Sequence, residues 1–408
     1  MFQKFTWLYL VFPYEFRIVP YKLTMRVLIS AESFLPRSNG VTNSVLRIAR
    51  YLILQGHEVL LIASGEGPDL VGEIQVRRVP ALALKRIAQV DIPRVKVKTL
   101  MPILEDFKPD VIYLASPFLL GEQVRKAAVR AGIPTIANYQ TDVSGFIEFY
   151  GLTGAKTFVE KRIRKIHNGS TLTLAPSQSS ISYLKSLGVE KVDFWGRGVD
   201  LKQFNPEWRK KKLRKSWGAD EETIVIGFVG RLAPEKQVHK LGTLADVGNL
   251  AGKKTVQVIV GDGPSRNALE TSLPNAIFTG HLSGDALSKA VASMDLLVTT
   301  GENETFCQVI QEAMASGLPV VAPAIGGPLD LISDGVDGFL YKPGPGSDIR
   351  RKVLSAIYHD ENRRIMSQNA LARVQSKTWE NICQLLLNIM EEVAEESRVS
   401  RLKEIAAS

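Results

Sequence analysis

The chain has 408 residues and a mass of 45.0 kDa, with 45% hydrophobic and 23% charged residues, which is material for two globular cores of ordinary size. Two cysteines, Cys307 and Cys383, exclude a disulfide framework, five scattered histidines exclude a zinc cluster, and no apolar run approaches the ~20 residues of a membrane-spanning helix. A net charge of +9 and a pI near 9.3 favour an anionic partner, but no arginine-aromatic stretch or basic recognition helix points to nucleic acid.

The apolar FTWLYLVF (5–12) is cut short by Pro13 and Glu15 and lacks a signal-peptide cleavage site. Because Met25 directly precedes the first strand-like run, residues 1–24 read as an extension or a mis-called start, with a membrane-touching segment as the alternative. RVLISA (26–31) then predicts a buried strand and TNSVLRIARYLILQGH (42–57) a helix. HEVLLIAS (57–64), IQVRRVP (74–80), DVIYLASP (110–117), PTIANYQ (134–140) and TLTLAPS (171–177) continue as strands. Apolar runs without polar alternation, separated by helical patterns, indicate a parallel sheet covered on both faces. Residues 201–222 are charged and aperiodic, as in a linker. A second series follows: TIVIGFVGRL (223–232), VQVIVGDGP (256–264), AIFTG (276–280), DLLVTT (295–300), PVVAP (319–323) and GFLYKP (338–343). The division expected is 25–200 for the first domain, 201–378 for the second, and a helix over 379–408 that crosses back, its tail frayed.

Ligands of open parallel sheets bind beyond the carboxyl ends of the strands, so two such sheets predict an interdomain cleft. Five loops face it. SFLPRSNGVTNS (33–44) offers a glycine turn at Gly40 with positive φ and Thr42 as a helix cap, an arrangement suited to an anion or to nothing more than a tight turn. GFVGRLAPEK (227–236) presents Gly230, Arg231 and Lys236, two cations that suit a diphosphate or form a solvated pair. VGDGP (260–264) places Gly261 and Gly263 where a ligand could approach the backbone. IANYQTDVSGF (136–146) would aim Gln140 and Asp142 into the cleft from the other side, although a loop carboxylate is often just a helix cap.

The fifth loop, ENETFCQVIQEA (302–313), carries Glu304 and Glu312 around a helix start at Thr305, Phe306, Cys307 and Gln308, with Thr305 as the expected cap. Eight helical residues rise ~12 Å and rotate ~80°, whereas the carboxylates of a glycosidase stand about 5–9.5 Å apart. The spacing is poor for a shared acid/base task and good for holding an elongated ligand at two points.

In chain order, SFLPRSNGV, APSQSS (175–180), GRGVDLKQF (197–204), GRLAPEK, GDGP, the E-x7-E stretch and GGPLDLI (326–332) resemble the GT-B glycosyltransferases of family 4 from Met25 onward. NGVTNSVLR, LASPFLLG, YQTDVSGF and SGENETFCQVIQEA look most like bacterial GDP-mannose-dependent α-mannosyltransferases of envelope glycolipid synthesis. The resemblance implies an α/β fold of two Rossmann-like domains and a retaining transfer from a nucleotide-sugar donor. It further implies a lipid acceptor at an anionic membrane surface and a place on the cytoplasmic, inner face of the plasma membrane. UDP-sugar or sulfoquinovosyl-type transfer, an inositol-type acceptor, and a non-catalytic nucleotide-sugar binder are the alternatives. By resemblance, Gly40, Arg231 and Lys236 meet the diphosphate. Glu304 and the amides near Phe306 and Cys307 meet the sugar, Glu312 the ribose, and His281 and Leu282 the base. Many relatives carry histidine where this chain has Gln140, which can hydrogen-bond a sugar but cannot carry a proton. With no D-x-D motif, neither a metal nor another cofactor is expected. The stretch 153–167, with Lys156, Lys161, Arg162, Arg164 and Lys165 among apolar residues, can read as an interfacial helix or as a solvated helix packed on its own domain.

Overall fold

The computed structural model describes residues 24–37, 39–84, 90–142, 154 and 156–407. The reading of residues 1–23 and of the segment directly after Asp142 falls outside the described residues. The first domain contains strands β1 (Arg26–Ala31), β2 (Glu58–Ser64), β3 (Leu70–Val71), β4 (Ile74–Val79), β5 (Ala81–Leu84), β6 (Val90–Pro93), β7 (Val111–Ala115), β8 (Thr135–Asn138), β9 (Leu172–Ala175) and β10 (Val192–Phe194). Its eight-stranded sheet runs β10-β9-β8-β7-β1-β2-β4-β3, parallel except for β3 against β4, with β5 and β6 as a separate hairpin. Helices α1 (Gly40–Leu54), α2 (Leu120–Arg130), α3 (Lys156–Asn168) and α4 (Gln178–Ser186) are the ones that bear on the site. The second domain contains β11 (Ile224–Val229), β12 (Thr255–Val260), β13 (Ile277–Gly280), β14 (Leu296–Val298), β15 (Val320–Pro323) and β16 (Gly338–Tyr341), all parallel in the order β13-β12-β11-β14-β15-β16.

The unbroken apolar runs have a direct cause. Successive strand residues point to opposite faces, and both faces are covered. Val27, Ile29 and Ala31 join the core beneath α1, whereas Leu28 joins the core on the other side of the same sheet with Leu120 and Val124 of α2. In the second domain Val225 likewise faces one core, while Ile224 and Ile226 face the other.

Two chain crossings lie side by side between the domains. Val199 pairs with Thr378, its amide donating to the Lys377 carbonyl at 2.8 Å, and a Cβ on Gly198 would sit 2.5 Å from the Trp379 Cα. The outgoing crossing leads from Val199 toward helix α5 (Lys211–Ser216); the returning one continues from Thr378 into the long terminal helix. Residues 201–222, which the sequence suggests as a linker running into a new helix, do carry a helix and are held in place. Arg214 of α5, 5% exposed, donates to the carbonyls of Ser293 (2.9 Å) and Thr223 (2.7 Å) and to Asp295 (2.8 Å), which pins the segment to the second sheet. With α6 (Gln308–Ala315) in the second domain, the terminal helix is α7 (Trp379–Ala407). Trp379, Ile382, Cys383, Leu386, Leu387 and Met390, spaced three and four apart, bury one stripe of it in the first domain's core. It stays helical to Ala407, where fraying was expected. Among the described residues, no helix is long and apolar enough to cross a membrane.

Candidate active site

Between the domains lies a cleft of ≈ 860 Å³, floored by α1 and walled on the far side by residues from the second domain. Of the predicted residues it gathers Gly40, His281, Leu282, Gln308 and Glu312 on its lining.

The loop before α1 works differently from the expected glycine turn. Asn39 is extended (φ −149°) and is itself the cap, its side chain accepting from the Thr42 amide at 2.9 Å, while the Thr42 hydroxyl donates to the Arg37 carbonyl at 3.0 Å. Gly40 is the first helical residue, not one of those with positive φ. What its lack of a side chain provides is room: a Cβ there would meet only an Arg197 nitrogen, at 3.9 Å.

The glycines after β11 and β12 serve the protein's own backbone. Gly261 (φ +138°) lies so close to the preceding loop that a Cβ would be 1.8 Å from the Gly230 carbonyl oxygen, and one on Gly263 would be 2.3 Å from that of Leu232. Neither these glycines nor Gly230 lines the cleft. They lock the loop that carries Arg231 and Lys236. Arg231 is an exposed rim residue, its side chain 63% accessible and 3.6 Å from Glu235. Lys236 instead points inward and pairs with Glu304. Burial works against its ammonium, but Glu304, with Cys307 and Glu235 behind it, holds the pKa above the ordinary lysine value. The Thr300 hydroxyl donates to the Lys236 carbonyl at 2.6 Å, which ties the two loops together.

Helix α6 begins later than the sequence predicts. Its N-cap is Cys307, in the left-handed region at φ 71°, and Thr305 does not cap it. Thr305 instead donates to the Gln140 carbonyl of the first domain at 2.9 Å. Phe306 and Cys307 are buried in the second domain's core, so only their backbone remains for a ligand, and burial pushes the Cys307 thiol well up. The Gly327 amide donates to the Glu304 carbonyl at 2.8 Å, and a Cβ on Gly327 would strike the Phe306 backbone at 2.4 Å, so the GGP loop fixes this turn from behind.

Glu304 and Glu312 thus occupy different surroundings. Glu304 is ion-paired. Glu312 has no hydrogen-bond or ion-pair partner among the described residues; burial pushes its carboxyl up to about 7, with Arg47 pulling the other way. In the first domain, Gln140 is 6% exposed; its side-chain oxygen accepts from Arg197 and its Nε2 has no partner among the described residues. Asp142 accepts from the Tyr139 hydroxyl at 3.2 Å and, like Gln140, Arg231, Lys236 and Glu304, is not among the residues that line the cleft.

Arg197 was not among the residues singled out. The signal was present in GRGVDLKQF, a cation between two glycines where the chain leaves the first domain, but a lone arginine there has no partner visible in sequence. Among the described residues no three metal-ligating side chains converge.

With this geometry in place, comparison with known proteins is decisive. A model of "Glycosyltransferase Family 4" matches residues 38–203 and one of "Glycosyl transferases group 1" matches 209–373. A GDP-mannose-dependent alpha-mannosyltransferase of Corynebacterium glutamicum is 43% identical over 383 residues, 92% of this chain and 91% of that protein. The chain belongs to glycosyltransferase family 4. A second alpha-mannosyltransferase of the same description, from Mycolicibacterium smegmatis, is 44% identical over 90% of this chain and 98% of its own. Among solved structures, HepE of Anabaena in complex with UDP and glucose superposes with a TM-score of 0.70 at 22% identity, covering 90% of this chain and 99% of that one, and shares the two-domain fold of this glycosyltransferase.

Proposed function

We propose that this family 4 enzyme transfers mannose from GDP-mannose, with retention of configuration, to a membrane glycolipid of the glucuronosyl diacylglycerol type. The observation that carries the proposal is similarity along nine-tenths of the chain to proteins described as GDP-mannose-dependent alpha-mannosyltransferases. The site is consistent with it. Glu312 is an unpaired acceptor at the depth where ribose hydroxyls can donate, and His281 and Leu282 lie beside it for the base. Lys236 and Arg231 neutralise the departing diphosphate, while Glu304 positions the sugar. Positioning and charge neutralisation are what a front-face substitution asks of a protein, the leaving diphosphate taking the acceptor's proton. This chemistry needs no carboxylate nucleophile and, with no D-x-D motif in the chain, we assign it no bridging metal.

Helix α3 is the proposed contact with an anionic lipid surface at the inner face of the plasma membrane. Val159, Ile163 and Ile166 are buried against the first domain, so its outer face is left to Phe158, 67% exposed, with Lys161, Arg164 and Lys165. Attraction to anionic lipid is worth about 1 kcal/mol per cation near the surface, enough for reversible association. Donor hydrolysis with GDP-mannose, UDP-glucose and UDP-galactose, alone and with crude lipid acceptor, tests the substrates; turnover of a UDP-sugar in preference to GDP-mannose would overturn the donor assignment. Co-sedimentation with vesicles that ignored anionic lipid content and salt would overturn the surface assignment.

A further inference from the structure

The cleft contains a cation to which no role has been given. The Arg197 guanidinium donates to the Gly40 carbonyl (3.3 Å), the Ser44 hydroxyl (2.8 Å) and the Gln140 side-chain oxygen (2.5 Å), all neutral acceptors. It forms no ion pair among the described residues; the nearest acidic residue on its strand, Asp200, is taken by Arg47 at 3.2 Å. Burial lowers its pKa and only Tyr113 opposes this. A desolvated cation without a counter-charge is costly unless something anionic completes it.

Position narrows what that anion is. Arg197 lines the same cleft as Glu312 and Gly40, at the amino end of α1, where helix amides add to its field. It is also tied to the sugar end. Gln140 accepts Arg197 through its side chain and Thr305 through its backbone, and Thr305 adjoins Glu304, which pairs with Lys236. Arg197 therefore stands at the junction between the Glu312 end and the Glu304 end, where any diphosphate linking a ribose to a sugar must pass. Gln308 reaches the same place, its amide donating to the Gly198 carbonyl at 2.9 Å.

We propose that Arg197 is a ligand of the donor diphosphate, contributed from the first domain's wall and opposing Lys236 on the second. This rests on the nucleotide-sugar function proposed above but not on the identity of the base or sugar. One diphosphate then meets a cation from each domain.

The test is titration of the full-length enzyme with GDP, UDP, GMP and guanosine, for Arg197→Gln and Arg197→Lys beside the unaltered chain, with thermal unfolding to confirm that each variant is folded. Loss of a charged contact predicts about tenfold to hundredfold weaker binding of the nucleoside diphosphate by Arg197→Gln. A smaller loss is expected for GMP, no change for guanosine, and partial recovery in Arg197→Lys. A UDP-preferring enzyme would show the same ladder on UDP, which separates failure of the donor assignment from failure of this one. Unchanged nucleoside diphosphate affinity in a folded Arg197→Gln would overturn the proposal. If transfer to an acidic glycolipid then fell while transfer to its uncharged counterpart did not, the anion held by Arg197 would be the acceptor's carboxylate.

Discussion

Glu304 and Glu312 are eight residues apart in sequence, yet one is a finished interaction and the other an open one. Glu304 is neutralised by Lys236 and backed by the GGP loop; Glu312 sits half-buried on the cleft wall with no partner among the described residues, its carboxyl pushed up to about 7 by burial. A paired and braced charge is suited to positioning, because it needs no rearrangement when the reacting atoms arrive. An unpaired, desolvated carboxylate is suited to binding, because ligand hydroxyls supply what the fold withholds. The same contrast divides the two sites' glycines: Gly40 leaves space at the open end, and Gly261 lets two loops of the braced end touch.

The largest effect should come from breaking the braced end. Lys236→Ala is expected to lower kcat by ~10²-fold, as loss of an oxyanion donor does, leaving Glu304 unneutralised. Arg231→Ala should lower it less, because Arg231 is exposed and screened at the rim. Steady-state kinetics at saturating donor ranks the two, and the reverse order would undo the division between inner and rim cations.

Glu312→Gln tests the open end. Donor affinity should fall about tenfold, in line with loss of a hydrogen bond to a charged group, with little change in kcat. In the unaltered enzyme affinity should also fall as pH drops through about 7, because protonation removes an acceptor; in Glu312→Gln that dependence should flatten. Stability moves the other way. A carboxyl whose folded pKa lies above its unfolded value stabilises the fold at low pH, and that contribution is lost as pH rises from the unfolded value through about 7. Above pH 8, Glu312→Gln should therefore melt higher than the unaltered protein. Calorimetry and nucleotide titration on one preparation check both signs.

The sheets were legible because they are buried on both faces: apolar runs such as RVLISA and TIVIGFV have no other use. The β5–β6 hairpin and β10 were not, because short or edge strands carry too few residues to show a period. At the site, residue types that advertise a charge could be singled out from sequence: Lys236, Glu304 and Glu312. Backbone roles were not. Asn39 rather than Thr42 caps α1, both being capping types, and α6 starts at Cys307, which makes no side-chain cap, because Thr305 is engaged by Gln140 of the first domain. Arg197 escaped for the same reason, its partners being Gly40, Ser44 and Gln140, far away in sequence.

The two glycines give a comparison in which stability and binding should separate. Gly261→Ala forces a Cβ against the Gly230 carbonyl and an L residue into φ +138°, strain on the order of 1–3 kcal/mol, and should lower the melting temperature. Gly40→Ala adds its Cβ into space and should leave melting unchanged while weakening donor binding severalfold by crowding the cleft. If Gly40→Ala destabilised the fold and Gly261→Ala did not, the assignment of room to one and contact to the other would be reversed.

The smallest effect belongs to the link between the walls. The Thr305 hydroxyl, beside Glu304, donates to the Gln140 carbonyl at 2.9 Å, joining the sugar-side turn to the first domain. Thr305→Val keeps the shape and removes the donor, at about 1 kcal/mol or roughly fivefold. That loss should appear in turnover with acceptor, for which the two walls must be in register, and hardly at all in binding of free GDP, which reaches Glu312 and Lys236 without needing this bond. Thr305→Ser should restore the donor and most of the rate. Equal losses in GDP affinity and turnover would mean that the hydrogen bond shapes the nucleotide site itself, and the boundary between the braced and open ends would then lie on the other side of Thr305.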